Sequence, residues 1–129
     1  MSDEGTRAFA AAFRYLGIDA HPSPSGDERT YELAGRFTSG DECLPERVTV
    51  GDFLKVAEQP NFDPSKVAFF MPTAGGPCRF GQYAPFLRQV MREAGYEDVL
   101  VVEPSSADGY AGLGEYASPL MRLGWWGLI

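Results

Sequence analysis

Apolar residues recur at intervals of three and four positions in two segments of the chain, and this spacing predicts amphipathic helices. The first segment covers residues 6–16 and stops before a glycine. The second, residues 80–94, keeps the pattern for longer and is also followed by a glycine. Because Pro85 would break the interior of a helix, we expect regular turns to begin near Gly81 or Gln82, with the proline in the first turn.

A third helix is predicted to begin at Thr49. Thr49 and Asp52 have the spacing of a capping box, and the apolar residues that follow fall on one face. Pro60 then closes the helix. The preceding stretch, residues 30–37, is mixed in character, and we expect it to pair as a strand.

Two continuous apolar runs, residues 66–71 and 98–103, are typical of strands that are buried on both faces. Helices that alternate with buried strands favour an α/β fold. We therefore expect residues 1–129 to form one three-layer domain, with a mostly parallel sheet and helices on both faces. The arrangement would be doubly wound, flavodoxin-like or Rossmann-like.

The tail of the chain, residues 105–129, is predicted to be irregular. It is rich in glycine at first and ends on the apolar string GWWGLI, with no polar cap. We interpret this ending as a sign that the domain is incomplete at its C-terminus and belongs to a larger protein. The same apolar tail is a candidate surface for homodimer formation.

Charge and hydropathy exclude two classes of partner. The net charge is −7, and the basic residues are scattered, whereas nucleic-acid binding relies on clustered lysine and arginine. No run of about 18 apolar residues is present to span a membrane. The chain also starts with acidic residues, where a signal peptide has basic ones, so we expect it in the cytoplasm.

Cys78 lies in the segment PTAGGPCRFGQY, residues 72–83, between the first predicted strand and the most regular helix. Ligands of open α/β sheets bind at the carboxyl ends of strands, against helix N-termini. The helix N-terminus and the adjacent Arg79 would both stabilise a thiolate, which binds metals and acts as a nucleophile. The segment matches neither a Walker loop nor the GxGxxG fingerprint. The alternative is a glycine-rich turn with a passive cysteine.

Cys43 occupies a similar position in the segment TSGDECLPE, residues 38–46, and the two cysteine loops are predicted to converge. The separation of the cysteines does not fit a zinc finger or ribbon, whereas a cluster with ligands from separate loops fits better. A disulfide and a pair of inert thiols remain alternatives. Cysteine-based nucleophilic catalysis would need a general base from Asp41, Glu42 or Glu46.

Four strings in this order carry a resemblance to a known family: TSGDECLPE, VTVGDFLK, VAFFMPTAGGPCRFGQY and AGYEDV. Over roughly residues 6–104, the chain resembles the C-terminal region of large activase-type proteins. That family is related to the activators and iron–sulfur components of 2-hydroxyacyl-CoA dehydratases and benzoyl-CoA reductases, enzymes of anaerobic metabolism that act on CoA substrates.

The resemblance implies an iron–sulfur electron-transfer or activation module. By position, it makes Cys43 and Cys78 ligands of a 4Fe–4S cluster. It also implies a surrounding shell of residues that shape the site: Gly75, Gly76, Pro77, Arg79, Gly81, Gln82 and Tyr83. The expected partners are other domains of an activase-type protein or a dehydratase-like protein.

The chain departs from that family in two respects: it lacks the actin-like nucleotide-binding domain and the family's other cysteines. We therefore do not expect it to be a complete enzyme alone. The alternative hypothesis is a non-catalytic binding or assembly domain in which the cysteines are incidental.

Overall fold

Helices make up most of this chain. The structure is a computed structural model that describes residues 3–128. Five α-helices follow one another along the described chain: α1 (Asp3–Tyr15), α2 (Glu28–Ala34), α3 (Leu44–Ala57), α4 (Tyr83–Glu93) and α5 (Ala117–Leu128). The strands are β1 (Ala68–Phe70) and β2 (Leu100–Val102). Three 3-10 segments complete the order: Arg79–Gln82, Ser106–Asp108 and Ala111–Tyr116.

The predicted three-layer sheet is wrong. In the part of the chain that the structure describes, the sheet has two strands, β1 and β2, and 54% of the structure is helical. The strands are parallel, with Phe69 opposite Val101, and a single bridge between Thr73 and Ser105 extends the pairing. The prediction failed because a doubly wound sheet needs further strands, and residues 30–37, which were expected to supply one, are not a strand.

The strands are also less buried than predicted. Phe69 faces the core, where its ring stacks on that of Phe53 at 4.4 Å between centroids. Phe70 points to the other side and meets the ring of Phe13 from α1 at 5.0 Å. Leu100 is 61% exposed. A ribbon of two short strands is too narrow to shield both of its own faces, so its outer positions stay open to solvent.

Helix α2 replaces the predicted strand over residues 30–37. The carboxylate of Asp27 accepts a hydrogen bond from the backbone N–H of Thr30 at 3.1 Å. In return, the hydroxyl oxygen of Thr30 accepts one from the backbone N–H of Asp27 at 3.0 Å. This reciprocal pair is a capping box, and it starts a helix where the mixed character of residues 30–37 had suggested a strand.

Helix α3 begins five residues before the predicted start. Cys43 is the residue before its first turn, Pro45 lies within that turn and Glu46 follows. Thr49 does not cap the helix: its hydroxyl donates to the carbonyl oxygen of Pro45 at 2.8 Å, inside the helix. Proline and glutamate at these positions are ordinary start signals for a helix. This shift places Cys43 directly at a helix N-terminus.

The helices predicted over residues 6–16 and 80–94 are both present. Helix α4 is preceded by one 3-10 turn, and Pro85 lies in its first turn, where a missing N–H costs nothing. The tail differs from its prediction, because residues 117–128 form α5, which packs against α1. Gly124 of α5 lies against the ring of Phe9.

The main core lies between the strand pair and helices α2, α3 and α4. It contains Leu33, Val50, Leu54, Phe69, Met71, Tyr83, Ala84, Leu87, Val90, Met91, Val99 and Val101. None of the helices between residues 3 and 128 combines the length and apolar character needed to cross a bilayer.

Candidate functional site

Cys43 ends a loop that is organised by the side chain of Glu42. This carboxylate accepts hydrogen bonds from the backbone N–H groups of Ser39 and Gly40, at 3.1 and 2.9 Å, and from the Ser39 hydroxyl at 3.2 Å. The backbone hydrogen bonds lower the pKa of Glu42 to about 2. The loop thus carries a fixed negative charge beside Cys43, at the entrance to α3.

Cys78 lies in an exposed loop, residues 75–78, directly before the 3-10 segment Arg79–Gln82. Gly76 has a φ of +119°, a backbone conformation that favours glycine. At the far end of the loop, the Gly81 N–H donates to the carbonyl oxygen of Cys78 at 3.3 Å. A Cβ atom on Gly81 would lie 3.1 Å from the carbonyl oxygen of Ala74, so the turn is tight there. Glycine at both places lets the loop present Cys78 to solvent.

The two cysteine loops are tied together by Arg79. Its guanidinium Nη1 donates to the backbone carbonyl oxygen of Asp41 at 2.6 Å. Asp41 is two residues before Cys43, and Arg79 directly follows Cys78. The predicted convergence of the loops is therefore present in the structure.

Tyr83 contacts one of the two cysteines directly. Its side chain is buried, at 7% exposure, and its hydroxyl lies 2.8 Å from the Sγ atom of Cys43. Burial is the largest cause that raises the pKa of Tyr83, and the hydrogen bond with Cys43 and the charges of Cys43, Glu46 and Cys78 add to it. The phenol therefore keeps its proton, so its hydroxyl can donate to the Cys43 sulfur.

Glu46 brings a buried carboxyl group to the same place. It is 5% exposed, and the Cys43 thiol points to its Oε2 atom at 3.9 Å. Burial is the largest cause that raises the pKa of Glu46, and repulsion from Glu42 adds to it. The contact with Cys43 and the charge of Arg79 act in the opposite direction. Burial therefore disfavours the charged form of Glu46.

The other residues that the resemblance selected lie at the edge of this cluster. Gly75, Gly76 and Pro77 are exposed in the loop before Cys78, and Gln82 is exposed just before α4. Gly81 shapes the turn. We use the name thiol site for Cys43, Glu46, Cys78, Arg79 and Tyr83.

Sequence reasoning considered Glu46 only as a candidate base and Tyr83 only as part of the surrounding shell. The contact between Cys43 and Tyr83 joins positions that are far apart in the chain, so no local spacing could indicate it. The start signals of α3 were the one local clue to Glu46: they place its side chain in the turn that follows Cys43.

The thiol site does not fit a complete iron–sulfur cluster. A four-iron cluster takes four protein ligands, and the sequence contains two cysteines. Over residues 3–128, no group of three or more His, Cys, Asp and Glu side chains is placed to hold a metal ion. The single histidine, His21, instead pairs with Asp19 at 2.9 Å on the surface. At most, the site offers half of a ligand set.

Comparison of the chain with protein-family models, with curated proteins and with solved structures found no match in any of the three.

Proposed function

We propose that this chain is a thiol-presenting module of an iron–sulfur electron-transfer or activation system. In this proposal, Cys43 and Cys78 supply two ligands of a cluster, and another polypeptide supplies the rest. The observation that carries it is the hydrogen bond from Arg79 to the backbone carbonyl oxygen of Asp41, which holds the two cysteine loops against each other. Thiolates are the usual protein ligands of iron–sulfur clusters.

Two features of the thiol site favour bound thiolates. Cys43 lies at the N-terminus of a 14-residue helix, where the helix dipole favours negative charge. The Tyr83 hydroxyl is placed to donate a hydrogen bond to the Cys43 sulfur. Hydrogen bonds to ligand sulfurs adjust the reduction potential of a cluster, so Tyr83 would tune the centre without being a ligand.

The exposed side of the thiol site suits a partner that completes it. Cys78 is exposed, and Leu44, the residue after Cys43, is 58% exposed. By the resemblance, this partner would be another domain of an activase-type protein or a dehydratase-like protein. The chain alone would then be a part of an enzyme system and not a whole enzyme.

Anaerobic reconstitution tests the proposal. The full chain is incubated with iron, sulfide and a small thiol that can occupy the missing ligand positions. We expect bound iron and sulfide, together with the broad visible absorption and the EPR signal of a reduced cluster. Cys43→Ala and Cys78→Ala should each lower the amount of bound iron. The double variant should bind no iron above the nonspecific background.

Tyr83→Phe is the matched control, because it keeps both thiols and removes only the hydroxyl. We expect it to bind iron at the level of the wild type, with a shifted reduction potential. The proposal fails if the wild-type chain binds no more iron and sulfide than the double cysteine variant does.

A non-catalytic binding or assembly domain is the second candidate. The observation that favours it is the incomplete ligand set within residues 3–128, combined with the exposed Leu44. In this case, the loops that carry the cysteines would form a docking surface, and the thiols would be incidental. Replacement of both cysteines by serine would then leave partner binding intact, whereas Leu44→Glu would weaken it.

A further inference from the structure

Lys55 of α3 lies in a cage of oxygen atoms between α3 and the segment that leads into α2. Its side chain is 13% exposed, although lysine side chains are almost never buried unless they are paired. The Nζ atom lies 2.9 Å from Oδ2 of Asp27, 2.9 Å from the carbonyl oxygen of Ser25 and 3.3 Å from Oγ1 of Thr30. An ammonium group has three donors, and each of them has an acceptor here.

A second carboxylate joins the cage through Thr30. This threonine is fully buried, and its hydroxyl donates to Oδ1 of Asp52 at 2.7 Å. The same hydroxyl oxygen accepts from Lys55, so the ammonium, the hydroxyl and the carboxylate form one chain of hydrogen bonds. Gly26 lies close to this chain, because a Cβ atom there would be 3.7 Å from Oδ1 of Asp52. Two carboxylates, one hydroxyl and one backbone carbonyl are thus organised around one positive charge.

The electrostatics of the two carboxylates agree with this arrangement. The pKa of Asp27 lies below its ordinary value, and the hydrogen bond from Lys55 is the largest cause. Burial raises the pKa of Asp52, and the charge of Asp27 adds to it, whereas the hydrogen bond from Thr30 and the charge of Lys55 lower it. Loss of the lysine would therefore leave two carboxylates that repel each other.

Helix α2 depends on the cage because it is short. Its seven residues are fewer than an isolated helix needs to be stable in water. Asp27 uses Oδ1 to cap the first turn and Oδ2 to bind Lys55, so the cap and the attachment to α3 share one carboxylate. The carbonyl of Ser25 extends the attachment to the residues before the helix.

We propose that the ammonium group of Lys55 is the resident cation of an oxygen site that holds α2 against α3. Carboxylate, hydroxyl and backbone carbonyl oxygens form a donor set of the kind that Ca²⁺ prefers in proteins. The chain fills this place with its own side chain, and the place accepts a calcium ion once that side chain is shortened. This inference involves no residue of the thiol site and requires neither iron nor a partner, so it stands or falls apart from the proposed function.

The test uses the full chain and calcium chloride, with thermal unfolding followed by circular dichroism. Lys55→Ala should lower the melting temperature by about 5–10 °C, because it leaves a buried charge network without its cation. Calcium chloride at about 10 mM should restore at least half of that loss, since a ligand that binds the folded state stabilises it. The wild type should not respond, because the ammonium group occupies the place. Sodium chloride at equal ionic strength is the salt control.

Three further variants assign the effect to the cage. Lys66→Ala is the matched control, because Lys66 is 80% exposed and pairs with Asp63 on the surface. It should neither lose stability nor respond to calcium. Lys55→Met removes the charge but keeps a long side chain in the cage, so it should lose stability and gain no calcium response. Lys55→Ala combined with Asp52→Asn should also lose the calcium response, because one carboxylate is missing.

The inference is overturned if calcium stabilises the wild type and Lys55→Ala equally, or if it stabilises neither. A Lys55→Met protein as stable as the wild type would overturn it as well, since the charge would then hold nothing in place. If Lys55→Ala is unfolded without calcium, recovery of the helical signal on addition of calcium supports the inference, and failure to recover overturns it.

Discussion

At the scale of single residues, Cys43 stands where helices usually place serine, threonine, aspartate or asparagine. Its side chain makes no capping hydrogen bond to α3. An uncapped start typically costs a helix about 0.5–2 kcal/mol. The sulfur instead contacts Tyr83 and Glu46. A thiol at this position thus weakens the helix locally, which favours a role for the sulfur itself.

Tyr83→Phe is expected to lower the rate at which iodoacetamide alkylates Cys43. Loss of the hydroxyl removes a hydrogen bond to the thiolate, and we expect a decrease of about tenfold at neutral pH. The measurement uses a Cys78→Ser background, so that only Cys43 reacts. Tyr31→Phe is the matched control, because Tyr31 is 47% exposed and lies on α2. Equal rates for all three proteins would contradict a role for the Tyr83 hydroxyl.

Glu46→Gln is expected to stabilise the fold at neutral and alkaline pH. Because folding raises the pKa of Glu46, its contribution to stability is fully present below the ordinary pKa of glutamate and is lost as pH rises through the raised value. Urea unfolding at several pH values should show similar stability for both proteins in acid. At higher pH, Glu46→Gln should have a larger free energy of unfolding than the wild type.

The exposed Glu97→Gln gives the control for Glu46→Gln, and it should follow the wild type at every pH. A Glu46→Gln variant that is less stable than the wild type at neutral pH would contradict the cost assigned to the buried carboxylate.

The pKa of Glu42 is shifted in the opposite direction to that of Glu46. Its lowered pKa, about 2, means that its stabilising effect is lost as pH falls below the usual range of glutamate.

At the scale of helices, the crossing of α2 and α3 depends on Gly51. A Cβ atom at this position would overlap the carbonyl oxygen of Thr30. Alanine is the better helix former by about 1 kcal/mol, but overpacking against backbone typically costs about 1–3 kcal/mol. Because the added Cβ meets backbone, which cannot move aside easily, we expect the cost of overpacking to exceed the gain in helix propensity.

Gly51→Ala is therefore expected to destabilise the fold by about 1–2 kcal/mol in urea unfolding. Gly112→Ala is the matched control, since its added Cβ would meet its nearest atom at an ordinary 3.7 Å. A Gly51→Ala protein as stable as the wild type would mean that the two helices do not approach as closely as described.

The pattern of apolar positions predicted α1, α4 and the two strands, because each has a regular period or a continuous apolar run. It failed for α2, because residues 30–37 are mixed in character and were expected to pair as a strand. The capping box with Asp27 and the packing on α3 outweigh that preference. The start of α3 was missed because Thr49 and Asp52 imitate a capping box inside the helix. Local propensity is a weak guide where tertiary contacts decide.

The candidate site was partly predictable for a related reason. Each cysteine precedes a helix, and both loops were expected to meet. The partners of the sulfur depend on how α3 and α4 pack together, so the contact of Cys43 with Tyr83 could not be derived from spacing. The fold class was wrong because the alternation of helices and strands says little about how many strands exist.

At the scale of the whole molecule, α5 has one buried and one exposed side. Leu120 and Gly124 face inward, whereas Trp126 is 80% exposed. A tryptophan side chain can bury about 150–250 Å² at an interface. The apolar tail therefore remains our candidate surface for self-association of the chain.

We expect the sedimentation velocity of the wild type to rise with protein concentration and that of Trp126→Ser to stay nearly constant. Tyr15→Ser is the control, because Tyr15 is equally exposed but lies on α1. A wild-type chain that sediments as a monomer at all concentrations would contradict this prediction, as would an equal effect of both variants.

The pairing of α1 with α5 also determines which helices unfold locally first. Phe9 of α1 and Gly124 of α5 lie against each other although most of the described sequence separates them. Helices α2 and α3, by contrast, are consecutive in the chain. Closing a long loop costs more entropy than closing a short one, and distant contacts tend to form late. We therefore expect the amide hydrogens of α1 and α5 to exchange together, and sooner than those of α3 and α4. Cys43 and Tyr83 belong to the slower unit, so their contact would outlast the release of the terminal helices.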